Sequence, residues 1–534
     1  MQIVSRSNWT LPAISALQAK RFGARTACSF ANQRPLSFRD LEDESNAVAS
    51  SLARLGVQRG DRVVALMPNS REFVVALLGV HKRGAIFVPI NTELTGAFLE
   101  HQVRTANPRI VIIDGGLRPA FDLVELAGLQ IGFTVVVGAH ALPLAGSERI
   151  AFSSMVATQP LPADIHKAAP HEVCTIMFTS GTTGPAKGVL MTHAHCFFFA
   201  RETMQNMELT ERDCMYISMP LFHGTACFLQ FYAAFLAGAV SHIVRKFSAS
   251  SWLPDVKSCG ATVTFAIGVM PEFILKQPAR PDDADNKLRI CWSVPVSKEW
   301  GLEFERRFDL RILQGYGMTE FTVPVWGTLA DPLEAGCAGR VLEDHFELRI
   351  VDPETDDFLP QGSVGEIVVR PKEASVFMAG YYGMPERTVE AWRNLWFHSG
   401  DAGYFDARAR LFYVDRIRDR IRRRGENISS FEVENVINRH PGVAESAVVG
   451  VRVEGAGGED EVMAFVVASA PDLEPRQLIE WCVARMPKFA VPRFVELVSQ
   501  IDRTPTGKLR KQTLRESGPT ARTWDRISGA FWRL

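Results

Sequence analysis

A segment rich in glycine and hydroxyl side chains constrains this chain more than any other part of its sequence. Residues 178–188 read Phe-Thr-Ser-Gly-Thr-Thr-Gly-Pro-Ala-Lys-Gly and lie between predicted strands at 173–178 and 189–191. Glycine lets successive backbone N–H groups face one concavity, and such concavities bind anions. Lys187 adds a positive charge suited to phosphate oxygens, and three hydroxyl groups add further donors, those of Ser180, Thr182 and Thr183. The segment therefore predicts a phosphate-binding loop.

The same segment does not match a phosphate loop of the Walker type. That motif requires glycine at the position of Ala186 and serine or threonine at the position of Gly188. A solvent-exposed loop without a ligand is the other alternative, but no structural role requires so many donors beside a lysine.

The segment resembles the phosphate-binding signature of the adenylate-forming superfamily, which includes acyl-CoA synthetases, luciferases and the adenylation domains of peptide synthetases. The resemblance implies a catalytic role for Lys187 and ATP contacts from Thr179, Ser180, Gly181, Thr182, Thr183, Gly184 and Lys187. The superfamily usually has proline where Ala186 stands. We expect the alanine to loosen the loop slightly without removing a donor.

Length and composition indicate a globular protein of more than one domain. The chain has 534 residues, of which 46% are hydrophobic and 22% charged, and it is too long for a single core. Its net charge of −1 gives no overall field that would attract nucleic acid or a membrane surface. Nine cysteines without a Cys-x-x-Cys pair argue against a disulfide framework and a zinc site, and favour reduced thiols in the cytoplasm.

Neither a cleaved signal nor a membrane span is predicted. The N-terminus lacks a charged segment followed by an apolar run. Residues 227–244 form the one stretch apolar enough to be considered, but they include Gln230 and His242 and are short for a span of about 20 residues. We predict a buried helix of the large domain there.

The alternation of helical and strand patterns in the first half predicts an α/β fold with parallel sheets flanked by helices. Helical periodicity covers 41–55 and 71–83, and the predicted strands are 62–67, 85–90, 109–113, 133–137, 287–293 and 310–313. Short strands then predict a β-rich subdomain, at 347–351, 365–370 and 411–414.

A third pattern begins after Arg416 and predicts a small α+β domain. A Ser429-x-x-Glu432 capping box opens a helix that extends to 439. Strands at 447–451, 462–467 and 494–498 accompany a second helix over 475–486. We place the boundary at 415–418, which gives a large N-terminal domain over 1–415 and a C-terminal domain over 416–534.

A second motif, Gln314-Gly315-Tyr316-Gly317-Met318-Thr319-Glu320, follows a predicted strand, where open α/β sheets place ligands. An aromatic face suits a purine, and a carboxylate oxygen suits Mg²⁺. A plain turn with a solvated glutamate is the alternative. The motif resembles the second core motif of the superfamily, at the expected distance after the loop. This implies that Gly315 and Gly317 belong to the ATP site, Tyr316 stacks on adenine, Thr319 contacts the α-phosphate, and Glu320 binds the metal and is catalytic.

His398-Ser399-Gly400-Asp401 follows a short predicted strand. A carboxylate held at a glycine turn can accept hydrogen bonds from both hydroxyls of a ribose, although a simple β-turn is the alternative. The resemblance implies the ribose-binding role for Asp401, and a further ribose contact from Arg416.

Residues 416–424 are the only dense basic run, which by itself could form a nucleic-acid patch. The alternation of Ile417 and Ile421 favours an ordered strand instead. In the superfamily this segment is the hinge between the two domains, which implies that Arg418 is the hinge residue. The resemblance also implies that the next loop, with Gly425 and Asn427, approaches the thiol tunnel when the thioester forms.

The segment from Asp502 to Lys508 ends in Thr506-Gly507-Lys508, a turn that presents a lysine. A solvated turn is the alternative. In the superfamily this lysine belongs to a mobile C-terminal domain and is catalytic in adenylation, which implies that Lys508 contacts ATP and the acid.

Pro220-Leu221-Phe222-His223 resembles the acyl-CoA synthetase form of a further motif. Amino-acid adenylation domains carry Phe-Asp here, so His223 argues for a simple acid and implies a catalytic place beside its carboxylate. A neutral core histidine is the alternative. His193 and His195 have metal-like spacing, but we expect them to be structural at the start of a helix.

Six motifs in the expected order imply an ATP-dependent acyl-CoA ligase, and the C-terminal segment is most similar to that of bacterial crotonobetaine/carnitine-CoA ligases. Such an enzyme uses Mg²⁺ and ATP to form an acyl-AMP from a carboxylic acid, and then transfers the acyl group to CoA. An acyl-AMP ligase that loads a carrier protein is the main alternative. A luciferase-type monooxygenase and a ligand-binding protein without activity are others. The resemblance leaves a monomer and a homodimer open.

The acid is not specified by the motifs. An apolar acid of small to medium size is favoured by aromatic residues near segments that line the superfamily's acyl pocket, namely Phe222, Phe228, Phe231, Phe235, Phe265 and Phe321. A trimethylammonium group would need an aromatic cage and a carboxylate, and the sequence offers no clear candidate for the carboxylate.

Overall fold

The computed structural model describes residues 5–31, 33–138, 141–179, 185–267, 270–294, 296, 300–416, 420–423, 426–453, 459–469, 473–501 and 511–532. The helices of these ranges are α1 (Leu11–Phe22), α2 (Phe38–Arg54), α3 (Arg71–Lys82), α4 (Gly96–Ala106), α5 (Phe152–Val156), α6 (His193–Asn206), α7 (Ala233–Ala237), α8 (Ala249–Cys259), α9 (Met270–Leu275), α10 (Gly301–Phe308), α11 (Pro385–Ala391), α12 (Ser430–Ile437), α13 (Pro475–Val483) and α14 (Lys511–Ser517).

The strands are β1 (Thr26–Phe30), β2 (Leu36–Ser37), β3 (Arg62–Leu66), β4 (Ile86–Pro89), β5 (Ile110–Asp114), β6 (Phe133–Val137), β7 (Glu148–Ala151), β8 (Val173–Thr179), β9 (Lys187–Thr192), β10 (Cys214–Ile217), β11 (Val240–Ile243), β12 (Val263–Phe265), β13 (Ile290–Trp292), β14 (Arg311–Leu313), β15 (Gly315–Met318), β16 (Thr322–Trp326), β17 (Cys337–Val341), β18 (Phe346–Val351), β19 (Gly365–Pro371), β20 (Gly380–Tyr381), β21 (Phe397–Phe405), β22 (Leu411–Arg416), β23 (Arg420–Arg423), β24 (Glu426–Ser429), β25 (Val443–Arg452), β26 (Asp460–Ala468), β27 (Phe494–Leu497), β28 (Trp524–Asp525) and β29 (Ala530–Phe531).

Two sheets of mostly parallel strands carry the first part of the chain. Sheet 1 has the order β14-β13-β12-β10-β11-β1-β2, in which the edge strand β2 is antiparallel to β1. Sheet 2 has the order β20-β9-β8-β4-β3-β5-β6-β7, and it is parallel from β8 to β7. Helices α2, α3 and α6 contribute to one continuous apolar core together with strands of both sheets. The predicted α/β class with helix-covered parallel sheets is confirmed.

The β-rich subdomain is sheet 3, an antiparallel sheet with the order β15-β16-β17-β22-β21-β19-β18. It begins where the chain leaves sheet 1 after β14. Leu313 is the last residue of that strand, and Gly315 is already paired with Trp326 in sheet 3. The second motif therefore lies at the junction of the two sheets, and its residues Gly315–Met318 form strand β15 rather than the plain turn that was the alternative.

The C-terminal segment folds around its own sheet. The hairpin β23-β24 and the sheet β25-β26-β27-β28-β29 are covered by α12 and α13. Ile421 and Val433 of this segment belong to the same apolar cluster as Val64 and Ile176 of sheet 2. Gly96 at the start of α4 lies so close to the C-terminal segment that a Cβ there would be 2.8 Å from the carbonyl oxygen of Arg485. The C-terminal segment thus packs directly on sheet 2 and α4.

Local sequence signals explain where the early helices begin. Ser37 accepts a hydrogen bond from the N–H of Asp40, and the Asp40 carboxylate accepts one from the N–H of Ser37. This capping box starts α2 at Phe38, three residues before the predicted start. Ser70 caps α3 in the same way, through the N–H of Phe73.

The prediction of one buried helix over residues 227–244 is wrong in its second half. A π-helical turn over Thr225–Tyr232 runs into α7, which ends at Gly238 in a left-handed conformation. The chain then continues into the parallel strand β11. A glycine that can adopt positive φ ends the helix, and the apolar residues after it fill a central strand of sheet 1 instead. Within the described ranges, every helix is too short or too polar to cross a bilayer.

Candidate active site

A cavity of about 860 Å³ lies where sheets 1, 2 and 3 and the C-terminal segment meet. Nine residues that the sequence predicted as functional line it, namely Thr179, Lys187, His223, Gly315, Tyr316, Gly317, Thr319, Glu320 and Asp401. They come from separate strands and loops that are up to 222 residues apart in the sequence. The fold therefore gathers into one cavity the residues that the separate motifs carry.

Strands β8 and β9 form an antiparallel pair at one side of this cavity. Thr179 at the end of β8 is paired with Lys187 at the start of β9. The Nζ atom of Lys187 lies 4.3 Å from the centre of the Tyr381 ring, a cation–π distance. The ring supports the lysine at the end of the loop.

Glu320 lies opposite this pair of strands and is 3% exposed. Its Oε1 atom accepts a hydrogen bond from the Tyr381 hydroxyl at 3.1 Å and a longer one from Thr179 Oγ1 at 3.4 Å. Tyr381 therefore contacts both Lys187 and Glu320, and it holds two oppositely charged side chains at the same end of the cavity. Tyr381 could not be predicted from the sequence, because a Tyr-Tyr-Gly segment has no distinctive chemistry on its own.

The backbone of β15 approaches its neighbour very closely. A Cβ at Gly317 would lie 2.0 Å from the carbonyl oxygen of Thr322. Only glycine fits at this bulge, and it lets Tyr316 and Thr319 line the cavity from one short segment. The need for glycine here is steric, which the motif alone could not show.

Tyr316 and Asp401 are joined across sheet 3. The hydroxyl of Tyr316 donates to Oδ2 of Asp401 at 2.9 Å, and both residues are buried. The Tyr316 ring also stacks with Tyr413 at a centroid distance of 6.2 Å. The predicted adenine-binding and ribose-binding residues are thus in direct contact.

Asp401 lies inside strand β21, not in a turn after a strand as predicted. Gly400 has a φ of 70°, and its N–H donates to Oε1 of Glu366 at 2.9 Å. The N–H of Asp401 donates to the Ser399 hydroxyl, which in turn donates to the carbonyl of Ile367. Neighbouring strand β19 therefore fixes the backbone that presents Asp401. Glu366 was also missed, although the run Gly365-Glu366-Ile367 follows a turn and is visible in the sequence.

One acidic residue of β24 and one of α12 reach the cavity from the C-terminal segment. Glu426 Oε1 lies 3.7 Å from Nε2 of His223, whose ring is 4.6 Å from that of Phe222. Glu432 Oε1 accepts a hydrogen bond from the backbone N–H of Ala186 at 2.6 Å. Burial raises the pKa of Glu432 to about 7. Glu426 at the start of β24 thus faces the residue predicted to meet the acid.

Other predicted residues fall outside the described residues. These are Ser180, Gly181, Thr182, Thr183, Gly184, Arg418, Gly425 and Lys508, and for Arg416 and Asn427 the backbone alone is described. Arg416 is the last residue of β22, and its backbone pairs with that of Asp401. His193 and His195 occupy the first turn of α6 as predicted, and burial lowers the pKa of His195 to about 3.

Comparison with known proteins identifies the family of this chain. The family model described as AMP-binding enzyme matches residues 16–382, and that of the AMP-binding enzyme C-terminal domain matches residues 432–508. The chain belongs to the AMP-binding enzyme family.

Curated relatives and solved structures cover almost the whole chain. A crotonobetaine/carnitine–CoA ligase from Salmonella paratyphi A is 31% identical over 507 residues, which are 93% of this chain and 97% of the relative. Its counterpart from Citrobacter koseri has the same identity and coverage. A double mutant of o-succinylbenzoate CoA synthetase from Bacillus subtilis superposes with a TM-score of 0.81 at 24% identity, over 96% of this chain and 98% of that one. ATP-bound MatB from Rhodopseudomonas palustris has a TM-score of 0.69 at 25% identity, over 94% and 98%.

These findings establish the reaction class. The chain is an AMP-forming acyl-CoA synthetase, which joins a carboxylic acid to CoA through an acyl-AMP intermediate and consumes ATP. The curated relatives favour CoA as the acceptor over the carrier-protein alternative.

Proposed function

We propose that this ligase activates an apolar carboxylic acid of small to medium size, and that the residues gathered in the cavity divide the work as the sequence motifs suggest. The observation that carries the proposal is the convergence of His223, Lys187, Glu320 and the Tyr316–Asp401 pair on one cavity. Each belongs to a different motif, and a shared ligand would account for their convergence.

The nucleotide end of the cavity is the region of Tyr316 and Asp401. Tyr316 stacks on adenine, Asp401 and Arg416 bind the ribose hydroxyls, and Thr319 contacts the α-phosphate. Residues 179–184 and Lys187 bind the phosphates. Lys187 offsets negative charge that develops on the phosphate oxygens, because preorganised donors and charges stabilise a transition state without reorganising.

Glu320 would hold the Mg²⁺ that accompanies ATP. Its carboxylate offers hard oxygen ligands, and Tyr381 and Thr179 fix one of these oxygens at the phosphate-loop side of the cavity. A metal bound there supplies positive charge that neutralises the phosphates during adenylation. The donor set of this chain therefore fits the ion.

The acid is proposed to enter near His223. Apolar side chains from the surrounding elements line the cavity there, including Met177, Phe199, Met219, Phe222, Leu229 and Ile267. Of the six phenylalanines named from the sequence, only Phe222 belongs to the lining. The other five pack inside the apolar core, namely Phe228, Phe231, Phe235, Phe265 and Phe321. The apolar character expected of the pocket is thus supplied largely by residues that the sequence did not indicate.

A betaine is the second candidate, because the cavity contains a carboxylate that the sequence analysis did not find. Glu272 lines it together with the rings of Trp292 and Trp300. Aromatic faces and a carboxylate are the groups that recognise a quaternary ammonium. The Salmonella relative is named for crotonobetaine and carnitine, which are acids of this kind.

ATP–pyrophosphate exchange with a panel of acids tests the proposal. Aliphatic and aromatic acids of increasing size are compared with crotonobetaine and carnitine, and active acids are then assayed with CoA. We expect the highest kcat/KM for an uncharged apolar acid. A preference for the betaines by more than about tenfold, or 1.4 kcal/mol, would instead favour the second candidate.

Glu272→Gln separates the two candidates at the level of the site. We expect it to leave activity with apolar acids within about twofold, since an uncharged side chain of the same shape remains. If a betaine is the substrate, loss of the carboxylate should raise its KM about tenfold. The steady-state KM of each acid is the measurement, and a uniform loss with every acid would contradict both readings of Glu272.

Asp401→Ala is expected to raise the KM for ATP by at least about tenfold, because hydrogen bonds from ribose to a carboxylate contribute about 1.5–3 kcal/mol each. Tyr316→Phe is the matched control. It removes the same Tyr316–Asp401 hydrogen bond but keeps the carboxylate, so we expect its KM for ATP to change much less. Kinetics at varied ATP are combined with thermal melting. Normal ATP affinity together with a collapsed melting temperature would make Asp401 a structural residue.

The boundary at 415–416 and the cytoplasmic location are part of the same proposal. Strand β22 belongs to sheet 3 and ends at Arg416, whereas β23 pairs with β24 in the C-terminal segment. All nine cysteines are free thiols, which supports a reducing compartment.

A further inference from the structure

The contact between Ala186 and Glu432 joins the phosphate loop to the C-terminal segment. Ala186 is the last residue before β9, and its N–H donates to Oε1 of Glu432 at 2.6 Å. Its carbonyl oxygen lies 2.9 Å from Nε2 of His101 on α4. The backbone of Ala186 is therefore held by α4 on one side and by the C-terminal segment on the other.

The N–H at this position exists because the residue is alanine. Proline, the residue noted above as usual here, has no N–H and could not make the contact. From the sequence, Ala186 was expected only to loosen the loop, whereas in the structure its N–H has a partner. Glu432 was predicted to close a capping box, and in the structure its carboxylate contacts the backbone of Ala186.

We propose that the Ala186 N–H and the Glu432 carboxylate form a latch that holds the C-terminal segment in the orientation seen here and that competes with pyrophosphate for the phosphate loop. In this orientation Glu426 at the start of β24 faces His223, so the C-terminal segment reaches the proposed acid site. This is the arrangement expected for the second half-reaction, in which CoA attacks the acyl-AMP.

Electrostatics make the latch and pyrophosphate mutually exclusive. Glu432 lines the same cavity as Thr179 and Lys187, which lie at the two ends of the anion-binding loop. Pyrophosphate held by Thr179 and Lys187 would place negative charge in the cavity that the half-buried Glu432 also lines, and the ionised form of this carboxylate would repel it. A single N–H also cannot donate fully to both acceptors. Release of pyrophosphate therefore has to precede closure of the latch.

The proposal rests on the ligase function, and a test on isolated half-reactions keeps the two apart. Synthetic acyl-AMP and CoA are supplied to the full-length enzyme, and thioester formation is followed with increasing pyrophosphate. ATP–pyrophosphate exchange of the unchanged enzyme tests the ligase function independently. A normal exchange together with a negative latch result would overturn the latch alone.

Ala186→Pro removes the N–H, and Ala186→Gly is the matched control that keeps it. We expect Ala186→Pro to slow thioester formation from acyl-AMP about tenfold, the effect of one hydrogen bond to a charged group. The pyrophosphate concentration that halves this rate should fall by a similar factor, because less of the enzyme is latched. ATP–pyrophosphate exchange should stay within about twofold. Ala186→Gly should behave like the unchanged enzyme in all three assays.

Glu432→Ala tests the other half of the latch and guards against a proline that merely distorts the loop. It should show the same pattern as Ala186→Pro, and the double variant should be no worse than either single variant, since both remove one interaction. Equal losses in both half-reactions, unchanged sensitivity to pyrophosphate, or additive effects in the double variant would each overturn the proposal.

Discussion

Replacing Lys508 by alanine is expected to abolish formation of acyl-AMP from ATP while thioester formation from synthetic acyl-AMP and CoA continues at a nearly normal rate. The acid and the α-phosphate are both anionic, and the ammonium group offsets their repulsion only in the adenylation transition state. Lysine at the end of a domain that changes orientation can meet the substrates in one half-reaction and be absent from the other.

Both half-reactions are measured separately, and Lys488→Ala serves as the control. Lys488 is an exposed lysine of the same C-terminal segment, so its removal changes the charge equally without touching the proposed site. Arg418→Pro at the predicted hinge should give the opposite result, in which acyl-AMP forms but thioester formation stalls. Equal loss of both half-reactions in Lys508→Ala would reject the hypothesis that the C-terminal domain alternates between two orientations. Lys508 would then be a residue that stabilises the fold.

Glu320→Gln should lower the adenylation rate about a hundredfold or more, because the charge that balances the phosphates loses its protein ligand. The substitution keeps the shape of the side chain and its ability to accept from Tyr381, so the fold should be retained. Adenylation is measured as ATP–pyrophosphate exchange over a wide range of Mg²⁺ concentrations.

Two controls define the origin of that loss. Tyr381→Phe removes the hydrogen bond to Glu320 but keeps the carboxylate, and we expect a decrease of about tenfold. Glu303→Gln, on the exposed face of α10, should have no effect. Unchanged exchange of Glu320→Gln at saturating Mg²⁺ would remove Glu320 from the metal site.

Much of the fold follows from local sequence signals. The apolar runs at 62–67 and 133–137 predicted strands that agree closely with β3 and β6. A strand buried on both faces leaves such a continuous apolar run in the sequence. The prediction of a single helix over residues 227–244 was wrong because this segment is also one continuous apolar run. Apolar runs look alike whether they form a buried helix or a buried strand, and only Gly238 marks the change.

The candidate site was predictable where one short motif carries the chemistry, and it was not where residues distant in sequence meet. Glu320 and Asp401 were found from their motifs. Tyr381, which contacts Glu320 and Lys187, and Glu366, which fixes the backbone before Asp401, became visible only when strands β9, β20 and β19 were placed in their sheets. The role of Glu432 depends on how the C-terminal segment packs, which no local pattern encodes.

The pairing of Asp401 with Arg416 has a consequence for how the two half-reactions share one nucleotide. Arg416 is the final residue of β22, so the proposed pivot of the C-terminal segment starts on the strand that lies beside the carboxylate proposed to hold the ribose. Rotation of the C-terminal segment about this end of β22 would change which residues face the acyl group. It would not change the distance between Arg416 and the ribose. The nucleotide would thus keep its position through both half-reactions. AMP would stay bound as the leaving group while the residues that face the acyl group change.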